Sequence, residues 1–372
     1  MHRITISGYY GFNNVGDESI LTSIISNLKK QIKDIDITVL SANPSSTSEK
    51  HQVHAIDRKN IKEIYRSIKD CDVFISGGGS LLQDVTSHRS ITYYLIIMFI
   101  AILLGKKVLI YSQGIGPINR KINRYLTQWI LNKVDEITVR DEKSKEELLN
   151  MGVMNPSIYV TADPVINLPK GDLKLGEKIL KKEGLTDVGK KPLIGFAMRG
   201  WKNDERFNEI IGKTADKLIA DFGVEVVFIP FHLGEDMKII EDIQKNMKNQ
   251  GIFIKNRYDI NEMLGIVGNL QMLVGVRLHS LIFAAIMKVP MIAISYDPKI
   301  NSFMELLGLK VLCSVEDLAY EDLLLEIEGK QKRLCKEQEL IMNEVNNLQK
   351  KLEKNEELVM KLLQHREGNH ER

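Results

Sequence analysis

The sequence has few cysteines, few aromatic residues and almost no net charge, and each shortage argues against a class of protein. Its three cysteines, Cys71, Cys313 and Cys335, match no metal or disulfide spacing, which favours a reducing, cytoplasmic setting. Aromatic residues make up 6% of the chain, which argues against a non-catalytic sugar- or polymer-binding protein built on aromatic platforms. The net charge of +2 argues against bulk binding of nucleic acid.

Long apolar runs are also missing. The first apolar stretch, residues 2–7, is too short and too polar for a secretory signal. The most apolar run, residues 91–104, ends at Gly105-Lys-Lys and is shorter than the roughly 20 residues that a membrane-spanning helix needs. The run therefore predicts a buried or interfacial helix, and whether it touches lipid stays open at this point.

Short apolar stretches alternate with amphipathic ones along most of the chain, a pattern typical of a doubly wound parallel sheet. The 372 residues correspond to about two domains, and a Lys- and Gly-rich segment bounded by Pro169 and Pro192 separates two alternating series. We predict two Rossmann-like domains, 1–168 and 190–320, and a helical carboxy-terminal segment, 321–372, with a charged end at 368–372. By analogy, two such domains facing across a cleft form a glycosyltransferase-B-like architecture.

Glycines cluster at the ends of predicted strands in the amino-terminal half. Gly11 and Gly16 lie before or at the first helix, and a triple glycine, 77–79, follows a later strand. Their spacing matches neither a dinucleotide fingerprint nor a Walker motif. A glycine-rich turn before a helix still offers free N–H groups and the positive end of the helix dipole. Asp17 is either an ordinary first-turn helix acid or a functional carboxylate, and both interpretations stay open.

Cationic side chains follow the predicted strands of the carboxy-terminal half. Arg277 and His279 come after one strand and Lys299 after the next, while Arg199 and His232 follow two earlier strands. Taken singly, such residues are more often surface ion pairs, helix caps or solvated side chains. Ligands in open α/β sheets bind outside the carboxyl ends of the strands, so the convergent set predicts an anion site that contains a proton donor.

Seven segments carry a resemblance to a known family. They are SGYYGFNNVGDE (7–18), ISGGGSLLQDVTS (75–87), QGIGP (113–117), VRD (139–141), TADP (161–164), RLHS (277–280) and ISYDPK (294–299). With these segments in this order, the sequence resembles the polysaccharide pyruvyl transferases, most closely the CsaB-type enzymes of bacterial cell-wall polymer assembly. The resemblance covers nearly all of both domains, and one minor departure is Ser280, where many relatives have Ala.

The resemblance implies an enzyme that transfers a pyruvyl group from phosphoenolpyruvate to a sugar and so forms a cyclic ketal. It implies β-N-acetylmannosamine of a lipid-linked precursor of a secondary cell wall polymer as the acceptor, although the acceptor and the ketal position stay open. The first domain would form the acceptor side and the second the donor side. Phosphoenolpyruvate is then a co-substrate, and we expect no further cofactor and no metal.

The resemblance also implies roles for individual residues. Arg277 and His279 would bind phosphoenolpyruvate with help from Lys299, and Arg199 is a weaker match to a further anion-binding arginine. His279 titrates near neutral pH and suits the general acid, and Asp17 is our choice for the base. Five residues of the first two segments are assigned to the acceptor: Asn13, Asn14, Gly78, Gly79 and Gln83.

A nucleotide-sugar-dependent glycosyltransferase of the same architecture is the main alternative. Many retaining members hold the donor ribose with a glutamate on the helix after the equivalent strand, and no acidic residue lies between Arg277 and Asp297 here. That absence argues against the alternative. Because the implied acceptor is lipid-linked, we expect a cytoplasmic protein that contacts the inner face of the cell membrane peripherally, with its oligomeric state left open.

Overall fold

The chain folds into two α/β units. The computed structural model describes residues 1–85, 88–154, 157–186, 189, 191–200 and 204–367, so the predicted charged end at 368–372 lies outside the described residues. One unit consists of Met1–Leu168 and Leu348–Arg372, and the other of Pro169–Asn347. The first boundary falls at residue 168, where the sequence predicts one. Residues 169–186 and 321–347 belong to the second unit rather than to a linker and a separate tail.

The first unit is built on a parallel sheet of eight strands. They are β1 (His2–Ser7), β2 (Ile35–Ser41), β3 (His54–Asp57), β4 (Val73–Ser76), β5 (Gly79–Leu82), β6 (Lys107–Ile115), β7 (Glu136–Val139) and β8 (Ile158–Val160). Their order is β3-β2-β1-β4-β6-β7-β8, with β5 paired to β6. The chain winds outward from the centre in both directions, so the strand order reverses between β1 and β4.

In the described part of the chain, six helices connect these strands and one short 3-10 turn follows the last of them. The helices are α1 (Val15–Gln31), α2 (Pro44–His51), α3 (Ile61–Asp70), α4 (His88–Leu103), α5 (Lys121–Leu131) and α6 (Glu142–Asn150), and the turn is Pro164–Asn167. Several begin at polar caps: the side chains of Asn14, Asn43, Asn60 and Asp141 accept hydrogen bonds from the first turns of α1, α2, α3 and α6. Such caps satisfy helix N–H groups that otherwise lack partners.

The second unit repeats this plan with six parallel strands. They are β9 (Leu193–Ala197), β10 (Glu225–Phe228), β11 (Ile252–Phe253), β12 (Met272–Gly275), β13 (Met291–Ser295) and β14 (Cys313–Ser314), in the order β11-β10-β9-β12-β13-β14. The order reverses between β9 and β12. Its helices are α7 (Leu173–Lys182), α8 (Glu205–Phe222), α9 (Leu233–Lys245), α10 (Ile260–Gly268), α11 (Leu278–Met287), α12 (Pro298–Leu306) and α13 (Tyr320–Gln331).

Helix α7 explains why the residues after 168 belong to the second unit. It packs against α10 so closely that a Cβ on Gly176 would lie 2.1 Å from the carbonyl carbon and oxygen of Gly265. A glycine at this position lets the two backbones approach, and the contact fixes the segment to the second unit.

The last helix, α14 (Leu334–Glu367), belongs to both units. Near its start, Lys330 of the preceding helix contacts Glu337 at 2.6 Å inside the second unit. Farther along, Asn355 donates to Ser112 at 2.9 Å and accepts from Thr138 at 2.6 Å in the interior of the first unit. The predicted helical carboxy-terminal segment is therefore present as α13 and α14, with its end integrated into the first core.

The apolar run at 91–104 forms most of α4, which ends at Leu103. Its side chains at Ile91, Tyr94, Leu95 and Met98 are buried in the first core. Among the described residues, no helix is long and apolar enough to cross a membrane. The strands β3, β5 and β14 were not predicted, since they have four, four and two residues and too little apolar periodicity to be recognised.

Candidate active site

The predicted cations of the second unit lie around its topological switch point. Arg199 follows β9, and Arg277 follows β12, the two neighbouring strands between which the order reverses. Tyr296 and Lys299 follow the next strand, β13. A crevice forms outside the carboxyl ends of the strands at such a point, and ligands of open α/β sheets bind there.

Arg277 is held in place by carboxylates of the first turn of α9. Its Nε donates to Asp236 Oδ1 at 3.1 Å and its Nη2 donates to the same oxygen and, at 3.2 Å, to Glu235 Oε2. The other oxygen of Asp236 accepts the backbone N–H groups of Phe231 and His232 at 3.0 and 2.8 Å. Asp236 is fully buried, so the guanidinium is oriented by an anion that water does not screen.

The two carboxylates bound to Arg277 differ in accessibility. The Glu235 side chain is 59% exposed, whereas Asp236 is buried. Burial alone would raise the pKa of Glu235, but the hydrogen bond from Arg277 and the nearby positive charges hold that pKa below its ordinary value. Burial would likewise lower the pKa of Arg277, and the charge of Asp236 raises it. Arg277 is therefore a cation with one buried partner and one exposed partner.

The Tyr296 side chain lies next to the other two cations, Arg199 and Lys299. Its hydroxyl accepts a hydrogen bond from Arg199 Nη1 at 2.5 Å, and the Arg199 Cζ lies 4.8 Å from its ring centroid. The Lys299 Nζ lies 5.6 Å from the same ring and 3.0 Å from Asp297 Oδ2. The sequence predicts a group of cations, and the structure shows each with a carboxylate or aromatic neighbour. An anion entering this site would have to compete with Glu235 and Asp297.

His279 is the second residue of α11, two positions after the cap residue Arg277. The helix forms because 278–287 is a run of apolar helix formers that ends where Lys288 adopts a left-handed conformation with φ of 59°. It contains no acid in its first turn. The imidazole is half-buried beside the positive end of the helix dipole, where anions are favoured. This position combines a titratable proton donor with an anion-attracting environment.

The switch point of the first unit has a different composition. The loop between β1 and α1 passes over the triple glycine that follows β4, with Tyr10 between them. Added Cβ atoms on Gly8 and Gly77 would lie 2.3 and 2.1 Å from the Tyr10 side chain. Burial, followed by the negative charge of Asp17, raises the pKa of Tyr10 well above its ordinary value. The glycines are required here because the tyrosine ring occupies the space of their side chains.

Asp17 lies next to the third glycine of this loop. A Cβ on Gly79, which has a φ of +90°, would lie 3.4 Å from Asp17 Oδ1. Asp17 is also a first-turn acid of α1. The neighbouring Glu18 has a structural task, since its Oε1 accepts the Gly11 N–H at 2.8 Å, and burial raises its pKa. The structure thus brings Asp17 and Gly79 together.

The remaining residues assigned to the acceptor are in varied positions. Asn13 is exposed, with a φ of 61°, whereas Asn14 caps α1 by accepting the Gly16 N–H at 2.9 Å. The Gln83 Oε1 accepts the Val85 N–H at 2.9 Å. Gly78 faces inward, where its Cβ would lie 3.0 Å from Ile20, so it serves packing against α1. Thr86 and Ser87, the end of the second matching segment, lie outside the described residues.

An aromatic pair next to Asn13 was not predicted. Tyr9 and Phe12 stack with ring centroids 4.0 Å apart and an interplanar angle of 9°. Both are partly exposed, at 38% and 36%, and the Arg58 guanidinium lies 5.2 Å from the Phe12 ring. The pair therefore offers an aromatic face at the rim of the first unit's switch point.

Asp236 was also missed, although it is the residue that orients Arg277. Its only sequence signal was its position four residues after His232, in the first turn of the helix after a predicted strand. Among the described residues, no group of three or more His, Cys, Asp or Glu side chains could hold a metal ion. The independence of the reaction from metal and cofactors stays a prediction.

Comparison with known proteins identifies a family. The model of the family described as polysaccharide pyruvyl transferase matches residues 14–298. The amylovoran biosynthesis protein AmsJ of Erwinia amylovora is 20% identical over 384 aligned positions, which cover 88% of this chain and 91% of AmsJ.

Solved structures with the same fold are more distant in sequence. A glycosyltransferase from Rickettsia africae superposes with a TM-score of 0.66 at 17% identity, covering 97% of this chain and 98% of that one. The Anabaena protein Alr3699/HepE, in complex with UDP and glucose, gives 0.65 at 12% identity over 98% of this chain and all of that one. MnaA of S. aureus bound to UDP gives 0.65 at 12% identity, covering 93% and 92%. At these identities the likeness shows a glycosyltransferase-B-like fold.

Proposed function

Because this chain belongs to the polysaccharide pyruvyl transferase family, a family of transferases, we propose that it transfers a pyruvyl group from phosphoenolpyruvate to a sugar and forms a pyruvate ketal. The acceptor we propose is β-N-acetylmannosamine in a lipid-linked cell-wall polymer precursor. The observation that carries the proposal is the position of Arg199, Arg277, His279 and Lys299 at the carboxyl ends of three adjacent strands, β9, β12 and β13.

Phosphoenolpyruvate carries a carboxylate and a phosphate, which suit arginine because a guanidinium presents parallel N–H donors to such groups. Asp236 fixes Arg277 through Nε and Nη2, and Nη1 forms no hydrogen bond with either carboxylate. Glu235 is the exposed member of the pair. We propose that the donor displaces Glu235 from Arg277 while Asp236 keeps the guanidinium oriented. Arg199 and Lys299 then neutralise the second anionic group.

The reaction requires a proton at the methylene carbon of the donor. In our scheme the protonated His279 delivers it, and C2 becomes an oxocarbenium-like centre that a sugar hydroxyl attacks as it loses its proton. The bond between C2 and the phosphate oxygen then breaks, a second hydroxyl attacks C2, and inorganic phosphate leaves with the remaining proton. The cations stabilise the charge that develops on the departing phosphate, and proton transfer by a positioned side chain contributes about 10²–10⁴-fold to such rates.

The acceptor side belongs to the first unit in this proposal. Asp17, beside Gly79, takes the hydroxyl proton, and the stacked Tyr9 and Phe12 offer an apolar face to a sugar ring next to Asn13. A lipid-linked acceptor brings the enzyme to the cytoplasmic face of the membrane, where it binds peripherally. Asp17→Asn should then reduce turnover without changing the affinity for phosphoenolpyruvate.

The direct test is incubation of the full chain with phosphoenolpyruvate and a lipid-linked disaccharide that contains N-acetylmannosamine. A product heavier by one ketal-bound pyruvate, detected by mass spectrometry together with released phosphate, is the expected result. A parallel reaction supplies UDP- or GDP-sugars without phosphoenolpyruvate. Release of UDP or GDP with glycosylation of the acceptor, and no pyruvate transfer, would replace the proposal with the glycosyltransferase alternative.

A further inference from the structure

The outer face of α4 is apolar, although it is accessible to water. Ile96 is 51% exposed and Leu103 is 68% exposed, and Phe99 between them is half-buried. The spacing of three and four residues places all three side chains on one side of the helix. The opposite side is the one that fills the core. A helix with both faces apolar normally has something packed against each.

Helix α5, which packs against α4, is apolar on its outer face as well. Ile122, Tyr125 and Trp129 are 60%, 60% and 40% exposed, while the polar Asn123 and Thr127 are buried. This arrangement is the reverse of an ordinary surface helix, in which the polar residues face water. The sequence of α5 therefore provides exposed apolar side chains at the position where polar ones would be favoured in water.

The two stripes form one continuous surface. The rings of Phe99 and Trp129 lie 5.2 Å apart between centroids, which joins the stripe on α4 to the stripe on α5. We refer to this surface as the α4–α5 patch. It consists of Ile96, Phe99, Leu103, Ile122, Tyr125 and Trp129. An exposed apolar surface of this kind, rimmed by charges, is typical of a protein or membrane interaction site.

The charged residues of α4, α5 and the segments that flank them have one sign. No Asp or Glu occurs in the 50 residues from 85 to 134, although the chain has 49 of them in 372 residues. The same stretch contains seven basic residues: Arg89, Lys106, Lys107, Arg120, Lys121, Arg124 and Lys133. Lys107 and Arg124 pair with acids outside the stretch. Arg120, Lys121 and Lys133 are exposed, and the Lys133 Nζ lies 4.9 Å from the Trp129 ring centroid.

We propose that the α4–α5 patch docks the enzyme on an anionic lipid surface. Trp and Tyr side chains are favoured at the level of lipid headgroups, apolar side chains insert among the acyl chains, and lysine and arginine bind anionic headgroups. A second copy of this chain fits less well, because a two-fold contact would place the same basic residues opposite one another. The inference rests on the proposed function, which gives the enzyme a lipid-linked acceptor.

Vesicle sedimentation of the full-length protein tests the surface without requiring catalysis. Vesicles of phosphatidylglycerol with phosphatidylcholine should bind the protein, and vesicles of phosphatidylcholine alone should bind it much more weakly. Trp129→Ser should weaken binding roughly tenfold or more, because the variant lacks the large apolar side chain that leaves water when the wild-type protein binds the vesicle. The double variant Lys121→Gln, Lys133→Gln should weaken it by roughly 25-fold, about fivefold for each charge, and added salt should remove that difference.

The matched control is Leu325→Ser. Leu325 is 70% exposed on α13 of the second unit and should leave vesicle binding unchanged. Circular dichroism checks that each variant is folded, and light scattering reports the oligomeric state. Equal binding of wild type to both kinds of vesicle, no binding to either, or equal effects of Trp129→Ser and Leu325→Ser would overturn the proposal. A dimer that Trp129→Ser converts to monomer would assign the patch to a second copy instead.

The experiment also separates this inference from the proposed function. A water-soluble disaccharide replaces the lipid-linked acceptor in a parallel assay of pyruvate transfer. If vesicle binding fails while the soluble disaccharide is pyruvylated, the docking surface is wrong and the proposed function stands. If vesicle binding follows the expected pattern but no acceptor is pyruvylated, the proposed function is wrong and the lipid-binding surface stands.

Discussion

The two units place different chemistry at equivalent positions of the same fold. In each, the strand order reverses beside a central strand, between β1 and β4 in the first unit and between β9 and β12 in the second. The first reversal is lined by glycines, a buried tyrosine and Asp17. The second is lined by Arg199, Arg277 and the imidazole of His279. The parallel sheet determines where a ligand can bind, and the residues that follow the strands determine which ligand it is.

The two switch points also differ in whether packed backbone or long side chains form them. In the first unit the loops come together closely, and Gly8 and Gly77 leave room for the Tyr10 side chain. In the second unit the site consists of long charged side chains oriented by partners, as Asp236 orients Arg277. A glycine-lined site brings backbone groups to a ligand, which suits a neutral sugar. A site of paired cations suits a small dianion. The comparison predicts that substitutions in the two units affect different quantities.

The largest expected effect is on turnover, from His279→Gln. The amide keeps a hydrogen-bond donor but cannot deliver a proton, so we expect turnover to fall about 10²–10⁴-fold while much of the donor affinity remains. A nearby dianionic phosphate favours the protonated imidazole, and wild-type turnover should decline on the alkaline side as that form is lost. Steady-state rates across pH, with calorimetry of phosphoenolpyruvate binding, measure both quantities.

The control for this variant is His232→Asn. His232 is the cap residue of α9, and asparagine is a good cap, so turnover should stay within a few-fold of wild type. Near-normal turnover of His279→Gln with weakened donor binding would make His279 a binding residue. The general acid would then lie elsewhere in the protein.

The next effect is on donor affinity, from Arg277→Lys. An ammonium group cannot reproduce the fork that contacts Asp236 and the donor together, so the loss of one charge-assisted hydrogen bond should weaken binding by about 1.5–3 kcal/mol. Lysine keeps a cation next to the buried carboxylate, which alanine would leave unpaired. Calorimetry with phosphoenolpyruvate gives the affinity. Arg206→Lys, on α8 of the same unit, is the control, and unchanged affinity in Arg277→Lys would remove Arg277 from the donor site.

The positions of these residues at strand ends were predictable, and their partners were not. Apolar runs bounded by glycine and proline located β4, β9, β12 and β13 closely, because buried parallel strands are short and strongly apolar. Because the end of β12 was predicted, the positions of Arg277 and His279 just beyond it were predicted as well. Asp236 did not, since it reaches Arg277 from 41 positions away in the sequence, and its contact depends on β9 lying between β10 and β12.

The buried tyrosine of the first unit illustrates the same limit. The sequence shows Gly8 and Gly77 as two separate glycines, each explained by a turn after a strand. Only the pairing of β1 with β4 brings both to one ring. The exposed apolar residues of α5 were missed for a different reason: an apolar residue on a helix predicts burial, and its exposure becomes visible only when the core is known.

Gly77→Ala tests the close packing of the first unit through stability. The added Cβ would lie 2.1 Å from the Tyr10 Oη and 3.3 Å from its Cζ, and overpacking of this kind costs about 1–3 kcal/mol. Tyr10→Phe removes the hydroxyl, which has no hydrogen-bond partner among the described residues. The double variant should therefore recover most of the loss. Urea denaturation of the single and double variants measures the coupling.

Gly200→Ala is the counterpart in the second unit. Gly200 follows β9 at the equivalent reversal, and among the described residues the nearest atom to its added Cβ, Ile239 Cδ1, would be 4.0 Å away, so the change should stay within about 0.5 kcal/mol. A loss in Gly200→Ala as large as that in Gly77→Ala would contradict the distinction between a site formed by packed backbone and a site formed by side chains. Failure of Tyr10→Phe to rescue Gly77→Ala would contradict the role of the tyrosine ring.

The smallest effect distinguishes two carboxylates in the first turns of α1 and α9. Burial raises the pKa of Glu18 above its ordinary 4.5; in Glu235 the effect of burial is exceeded by the hydrogen bond from Arg277, and its pKa falls below 4.5. Folded Glu18 binds more protons than the unfolded chain just above pH 4.5, so its contribution to stability is lost as pH rises through that range. The contribution of Glu235 is present above pH 4.5 and is lost as pH falls through its lowered pKa.

Urea denaturation between pH 3.5 and 7 should therefore show Glu18→Gln gaining stability relative to wild type as pH rises. Glu235→Gln should lose stability relative to wild type over the same range, by less than about 1 kcal/mol, because the Glu235 side chain is largely exposed. Parallel pH dependences in the two variants would mean that the two switch points do not differ in their electrostatic environment.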